Sequence, residues 1–153
     1  MARPGNRQAG PPRARSAPVP VTEAHVPRPN LARRPTLARL AEDLAARTLE
    51  AAGMTIVERN WRRPQGELDI VAMDREGTCV FCEVRSRTGT ASGDPLEAVT
   101  ARKQAQVVRC ARLYLSEAGS PSAKAYRFDV VAVAFEDDQP PIVTHIPAAF
   151  ETT

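Results

Sequence analysis

The stretch 66–72 reads Gly-Glu-Leu-Asp-Ile-Val-Ala, and the stretch 80–85 reads Val-Phe-Cys-Glu-Val-Arg. Both have the apolar, β-branched content of buried β-strands, yet both carry carboxylates. A buried carboxylate is destabilising unless it is paired, hydrogen-bonded or bound to a metal. The two predicted strands therefore form the centre of the fold and the first candidate for a functional site.

Each of these two strands carries a pair of charged residues at positions i and i+2. Successive side chains of a strand point to opposite faces, so Glu67 and Asp69 are expected on one face of the first strand. By the same rule, Glu83 and Arg85 share one face of the second. The spacing predicts that the two pairs converge.

The rest of the chain supplies helices and further strands around this pair. Helical spacing of apolar residues begins after Thr36, which can cap a helix, and stops at Gly53. The predicted elements are a helix over 37–52, strands over 55–61, 67–73 and 79–87, a helix over 95–118, and strands over 127–135 and 141–146. A meander followed by a strand, helix, strand unit predicts an α/β domain whose mixed sheet is flanked by helices.

Length and composition restrict the class of protein. At 153 residues with 42% hydrophobic side chains, the chain can bury the core of one domain. No apolar run approaches the ~18 residues of a membrane span. The N-terminus has no apolar signal segment, so we expect a cytoplasmic protein without a membrane partner. An odd number of cysteines, three, within predicted strands and helix favours reduced thiols over disulfides.

The first 35 residues differ in composition from the remainder. They hold eight of the 14 prolines, and seven arginines against the single acid Glu23, a net charge of +6. Residues 36–153 carry 14 basic and 17 acidic side chains, a net charge of −3. The composition predicts a disordered basic arm over 1–35 and a single domain over 36–153. The arm either adds non-specific phosphate affinity or is a solvated extension without a role of its own.

The acids suggest a particular kind of chemistry. Asp69 and Glu83, together with Glu67 and Glu42 as further candidates, offer only oxygen ligands, which suit Mg²⁺ or Mn²⁺ and not zinc. With Arg85 beside them, the set fits metal-assisted phosphodiester hydrolysis, in which a positive side chain stabilises the developing oxyanion. The alternative is a structural salt bridge between Asp69 and Arg85 on adjacent strands.

Four other residues each have two interpretations. Glu42 lies at the border of the apolar stripe of the first helix, where a solvated role competes with a role in the site. Lys103 lies on the inner face of the second helix and either extends to solvent or reaches the acids. Cys79 and Cys82 have Cys-x-x-Cys spacing, but residues three apart on a strand face opposite ways, so we predict core thiols rather than metal ligands.

Six short segments of the folded part of the chain form a distinctive set: Ala41–Ala45, Arg59–Arg62, 66–72, Phe81–Arg87, Lys103 and Arg127–Val131. This set resembles the YraN-like uncharacterised family. That family is similar to the PD-(D/E)xK nuclease superfamily, which contains archaeal Holliday-junction resolvases and restriction endonucleases. The resemblance covers about residues 36–148 and implies a restriction-endonuclease-like αβββαβ core.

The resemblance also implies roles for individual residues. It places Asp69 and Glu83 as Mg²⁺ or Mn²⁺ ligands, with Glu42 as a supporting ligand or base. The Glu-Val-Lys of the family reads Glu-Val-Arg here, with Arg85 in the lysine position. Arginine keeps the charge but cannot serve as a base, because it is permanently protonated. Lys103 is then the candidate for the missing amine.

Together these observations predict a Mg²⁺-dependent endonuclease that hydrolyses phosphodiester bonds in structured or branched DNA, with a homodimer as a possible state. The catalytic candidates are Glu42, Asp69, Glu83, Arg85 and Lys103, and the further phosphate contacts are Arg62, Arg63, Arg87 and Arg102. Two alternatives stay open: a non-catalytic nucleic-acid-binding protein with an attenuated site, and a protein–protein adaptor.

Overall fold

The computed structural model describes residues 35–89, 93–117 and 119–152, leaving aside the side chains of Leu96 and Ala98. The predicted arm therefore lies outside the described residues, except for Pro35. The described elements are α1 (Leu37–Ala51), β1 (Thr55–Arg63), β2 (Gly66–Met73), β3 (Thr78–Thr88), a short 3₁₀ helix (Pro95–Ala98), α2 (Ala101–Ser116), β4 (Ala125–Phe135) and β5 (Ile142–Phe150).

The helix α1 begins and ends close to the predicted positions. The Thr36 hydroxyl accepts a hydrogen bond from the Arg39 backbone N–H at 3.2 Å, which caps the first turn. Ala45 and Leu49 on its inner face are fully buried. After the helix, Gly53 takes a φ of +91°, a left-handed conformation that favours glycine and turns the chain into β1.

The five strands form one sheet in the order β1-β2-β3-β4-β5. Strands β1 to β3 are an antiparallel meander. Strand β4 pairs parallel to β3, with α2 as the crossover, and β5 returns antiparallel to β4. The predicted α/β class with a mixed sheet is confirmed, and the element order agrees with an αβββαβ core.

The sheet is covered by a separate apolar cluster on each face. On the α1 side, Ala45 packs with Ile70 and Val131, and on the α2 side Val107 packs with Phe81. Strand β3 contributes to both clusters, which explains its nearly continuous apolar sequence. Among the described residues, no helix is long and apolar enough to cross a membrane.

Two predicted boundaries differ from the structure by four residues or more. The helix predicted from Pro95 begins instead at Ala101, because the Thr100 hydroxyl accepts a hydrogen bond from the Lys103 backbone N–H at 3.2 Å and starts a new helix after the 3₁₀ turn. The last strand does not end at Ile146 but continues to Phe150, which pairs with β4 and is buried.

Candidate functional site

The candidate site lies where β2 and β3 part. Their paired residues extend only as far as Ile70 opposite Cys82. One residue before Ile70, the Asp69 carboxylate accepts a hydrogen bond from the Val84 backbone N–H at 2.8 Å. A side chain thus satisfies a strand N–H that a backbone carbonyl would otherwise bond.

The same region breaks the side-chain alternation of β2. Leu68 and Val71 are three residues apart, yet both pack in the cluster on the α2 side. The break lets Asp69 reach across to β3 and leaves a cavity of about 260 Å³ next to it. Six charged residues line this cavity: Glu42, Glu67, Asp69, Glu83, Arg85 and Lys103.

Asp69 and Glu83 form a carboxyl pair at the cavity. Glu83 is only 3% exposed, whereas Asp69 is half-buried. Burial raises the pKa of Asp69, against the opposing effect of the Val84 N–H. Burial, and next the negative charge of Asp69, raise the pKa of Glu83 to about 7. Without a bound metal ion, Glu83 is therefore partly protonated near neutral pH.

Two cations face this pair from different elements. The Lys103 Nζ atom on α2 lies 3.5 Å from Glu83 Oε1, and the Arg85 Nε atom on β3 lies 3.7 Å from the same oxygen. Lys103 thus reaches the acids rather than solvent, with its side chain 21% exposed. Arg85 pairs with Glu83 and, among the described residues, not with Asp69. The buried Nε atom of Arg85 has no hydrogen-bond partner among the described residues.

Glu42 is held at the cavity by β1. The Asn60 side-chain amide donates a hydrogen bond to Glu42 Oε2 at 3.2 Å. Asn60 has a φ of +54°, an unusual conformation inside a strand. The neighbouring Arg59 pairs with Asp43 at 2.6 Å. Two consecutive β1 side chains thus fix two consecutive carboxylates of α1.

The donor set fits a hard divalent cation. Within the described ranges, no three histidine, cysteine or acidic residues stand as a ready-made metal-binding group. Mg²⁺, however, typically binds through one or two carboxylates and completes its shell with water and substrate phosphates. Asp69 and Glu83 supply two such carboxylates at one cavity. Glu42 stands at the same cavity as a further oxygen donor.

Comparison with known proteins identifies the family. The sequence profile of the uncharacterised protein family UPF0102 matches residues 41–133, from the helix that carries Glu42 to β4. The chain belongs to the UPF0102 family. This confirms the expectation of an uncharacterised family.

Relatives of this UPF0102 chain come from several bacteria. A UPF0102 protein of Acidothermus cellulolyticus is 43% identical over 126 residues, which cover 76% of this chain and 95% of the relative. The UPF0102 protein Francci3_3586 of Frankia casuarinae is 46% identical over 114 residues, covering 74% and 95%. A UPF0102 protein of Nocardia farcinica is 46% identical over 109 residues, covering 71% and 84%. These names assign no activity.

Two of the predicted phosphate contacts of this UPF0102 chain have partners within the protein. Arg62 is 73% exposed and lies 3.4 Å from a Glu67 carboxylate oxygen. Arg63 donates two hydrogen bonds of 2.9 Å to Glu117 and stacks over the Trp61 ring at 4.7 Å. Arg63 is thus engaged in holding β1 near the end of α2.

The other two predicted contacts are exposed. Arg87 lies near the end of β3 and donates a hydrogen bond to the Gly93 carbonyl at 3.3 Å. Arg102 is exposed in the first turn of α2, beside the residue that reaches Glu83. None of the four lines the cavity that contains Asp69.

The UPF0102 chain also has a charged cluster that the sequence analysis missed. Asp129 is fully buried in β4 and accepts hydrogen bonds from Arg127 at 2.8 and 3.1 Å and from the Ala148 backbone N–H at 3.0 Å. His145 Nε2 lies 2.8 Å from the same carboxylate. The spacing of Arg127 and Asp129 was a signal, but the register that brings His145 to them was not visible in the sequence.

The cysteines of the UPF0102 chain are free and buried, as predicted. Cys79 packs in the cluster on the α2 side and Cys82 in the cluster on the α1 side. Burial raises the pKa of Cys79 to about 11, so its thiol stays protonated. Both residues therefore belong to the core and not to a metal site.

Proposed function

We propose that the protein is a Mg²⁺- or Mn²⁺-dependent endonuclease that hydrolyses phosphodiester bonds in structured or branched DNA, related to the PD-(D/E)xK nucleases. One observation carries the proposal: the Asp69 and Glu83 carboxyls share a cavity with two cations, Arg85 and Lys103. Paired acids with raised pKa values, flanked by fixed positive charge, are typical of sites that handle a charged substrate.

In this proposal each residue of the cavity has its own role. Asp69 and Glu83 hold the metal ion, with Glu42 as supporting ligand or base. When bound, the ion supplies Lewis-acid polarisation of the phosphate and lowers the pKa of water. Arg85, whose Nε has no hydrogen-bond partner among the described residues, donates to the phosphate oxygens, where a fixed charge stabilises the developing negative charge. Lys103 adds a compact charge beside the same Glu83 oxygen.

A cleavage assay tests this proposal. Labelled duplex, single-stranded and four-way-junction DNA are incubated with the protein in Mg²⁺, Mn²⁺ or EDTA. We expect metal-dependent cleavage that Asp69→Ala abolishes. Glu76→Gln, an exposed acid in the turn between β2 and β3, serves as the control and retains activity. Cleavage that persists in EDTA or in Asp69→Ala, or no cleavage of any substrate, would contradict the nuclease assignment.

A second function is favoured by one observation, the arginine at position 85. Because Arg85 cannot release its proton, the site lacks at this position the adaptable amine of a lysine. A non-catalytic nucleic-acid-binding protein would then hold or gain affinity in Asp69→Ala, since the variant removes negative charge near the phosphates. If the protein is instead a nuclease with an attenuated site, the Arg85→Lys variant should cleave DNA faster than the natural protein.

We place this function in the cytoplasm, where the buried free thiols of Cys79, Cys82 and Cys110 remain reduced. Cleavage of a symmetric junction requires two equivalent sites, which a twofold homodimer supplies. The mass of the complex with a four-way junction, measured by light scattering, distinguishes one bound copy from two.

A further inference from the structure

The outer face of α2 is strongly basic. The helix contains four basic residues and no acidic one. Arg102, Arg109 and Arg112 are exposed. They form no ion pair or side-chain hydrogen bond with any of the described residues, unlike Arg62 and Arg63. Positions 102, 109 and 112 fall within an arc of about 80° on a helix, so the three charges make one stripe.

A groove runs along this helix, starting near the candidate site. A cavity of about 260 Å³ begins at Ala101, two residues before Lys103, and is lined further on by Arg109. It shares Val108, Arg112 and Glu151 with a second cavity of about 550 Å³ at the far end of α2. From Ala101 to Leu115 the helix rises about 21 Å, so the two cavities form one elongated groove.

An exposed aromatic ring stands at the far end of the groove. Tyr126 on β4 is 55% exposed, and it is the one exposed aromatic side chain in the described part of the chain. It lines the larger cavity together with Arg112 and the apolar side chains of Leu115 and Phe128. A positive groove that follows the backbone, with aromatic rings on which bases stack, is how proteins bind single-stranded nucleic acid.

We propose that this groove binds a single-stranded DNA segment that extends from the substrate held at the Asp69 site. Arg109 and Arg112 contact its phosphates, and Tyr126 stacks on one of its bases. Among the described residues that line the groove, Glu151 is the single carboxylate, and it is exposed. The inference rests on the proposed function and narrows the substrate to branched DNA with a single-stranded extension.

The test compares two DNAs in EDTA, where no metal-dependent cleavage occurs. One is a blunt duplex and the other is the same duplex with an oligothymidine extension, both followed by fluorescence anisotropy. We expect tighter binding of the extended DNA by the natural protein. Tyr126→Ala should lower this affinity about fivefold or more, because one stacking contact is lost. Tyr126→Phe keeps the ring and should retain the affinity.

The charges are tested by the salt dependence of binding. Arg109→Gln/Arg112→Gln should reduce the slope of log K against log salt concentration by about 1.4, because each phosphate contact to a single strand contributes about 0.7. Arg47→Gln/Arg75→Gln removes the same charge from exposed positions outside the groove and should leave the preference for the extension intact. Circular dichroism verifies that every variant is folded.

Failure of this inference and failure of the nuclease are separable. Equal affinity for the two DNAs, or Tyr126→Ala behaving as the natural protein, overturns the groove assignment even where Asp69-dependent cleavage persists. Extension-specific binding lost in Tyr126→Ala supports the groove even if no metal ion promotes cleavage. Absence of binding to the extended DNA by the natural protein overturns the groove assignment, while the cleavage assay decides on the nuclease.

Discussion

Glu83 is the residue at which burial and charge conflict most directly. Its pKa is raised to about 7 by burial first and by Asp69 next, so the folded protein holds this proton more tightly than the unfolded chain. In EDTA, the contribution of Glu83 to the free energy of unfolding is present below about pH 4.5 and lost as the pH rises to about 7. Glu83→Gln should therefore be more stable than the natural protein at pH 8, by about 1–3 kcal/mol.

Urea denaturation at pH 5 and pH 8 in EDTA measures this difference. Glu67→Gln, an exposed acid of the same cavity, is the matched control and should change stability little at either pH. A Glu83→Gln variant that is less stable than the natural protein at pH 8 would show that the carboxylate is already well compensated by Arg85 and Lys103.

Asn60 is a positioning residue for Glu42. Its φ of +54° suits asparagine or glycine, and its amide donates to Glu42 at 3.2 Å. Asn60→Gly keeps the backbone conformation and removes the amide, so we expect near-natural stability with slower cleavage and weaker Mn²⁺ binding. Asn60→Ala should lose about 1 kcal/mol more in stability, because its Cβ disfavours this conformation. Mn²⁺ affinity unchanged in Asn60→Gly would remove Asn60 from the site.

Helix α2 positions the amine that reaches Glu83, and its start depends on one hydroxyl. Thr100 accepts the Lys103 backbone N–H at 3.2 Å. Thr100→Ala should lower the free energy of unfolding by about 1 kcal/mol, the usual effect of losing an N-cap, whereas Thr100→Ser keeps the acceptor. Urea denaturation of the pair measures the effect. Equal stability of the two variants would mean that the 3₁₀ turn, not the cap, fixes the start of the helix.

Strand β5 is fastened to β4 by the Asp129 cluster. Asp129→Ala would leave Arg127 and His145 without their carboxylate and open a gap in the core. Breaking a buried ion pair in this way destabilises by about 3–5 kcal/mol, a large part of a domain's stability. Thermal unfolding measures this loss, and Arg39→Gln provides an exposed control. A loss below about 1 kcal/mol would show that the cluster does not fasten the strand.

The elements that the sequence predicted are those decided by local patterns. The helical periodicity of apolar residues predicted α1, and continuous apolar sequence predicted β3 and β4. The start of α2 was missed because the pattern of residues 95–99 is compatible with a helix. Only the hydrogen bond to the Thr100 hydroxyl shows that α2 begins after Thr100. The end of β5 was missed because its last residues lack strand character and depend on distant pairing, as between Phe128 and Phe150.

The same division applies to the site. The sequence predicted that Asp69 and Glu83 converge, and the structure places them in one cavity. The interruption of side-chain alternation between Leu68 and Val71, which lets Asp69 reach β3, was not predicted. That Lys103 and Arg85 both face one oxygen of Glu83 depends on how α2 crosses the sheet, which no local pattern records. The resemblance to a family, rather than periodicity, drew attention to Glu42.

For the whole molecule, charge separates the two parts of the sequence. Residues 1–34 carry a net charge of +6 and residues 35–153 a net charge of −3, while every candidate site residue lies in the second part. A variant that begins at Pro35 should therefore keep its denaturation midpoint and metal dependence but bind duplex DNA more weakly at low salt, with a smaller slope of log K against log salt. Anisotropy titrations at several salt concentrations measure both, beside a full-length variant with the seven arm arginines changed to glutamine. If the two variants match the natural protein in slope, the arm is a solvated extension, and the DNA contacts belong to the domain alone.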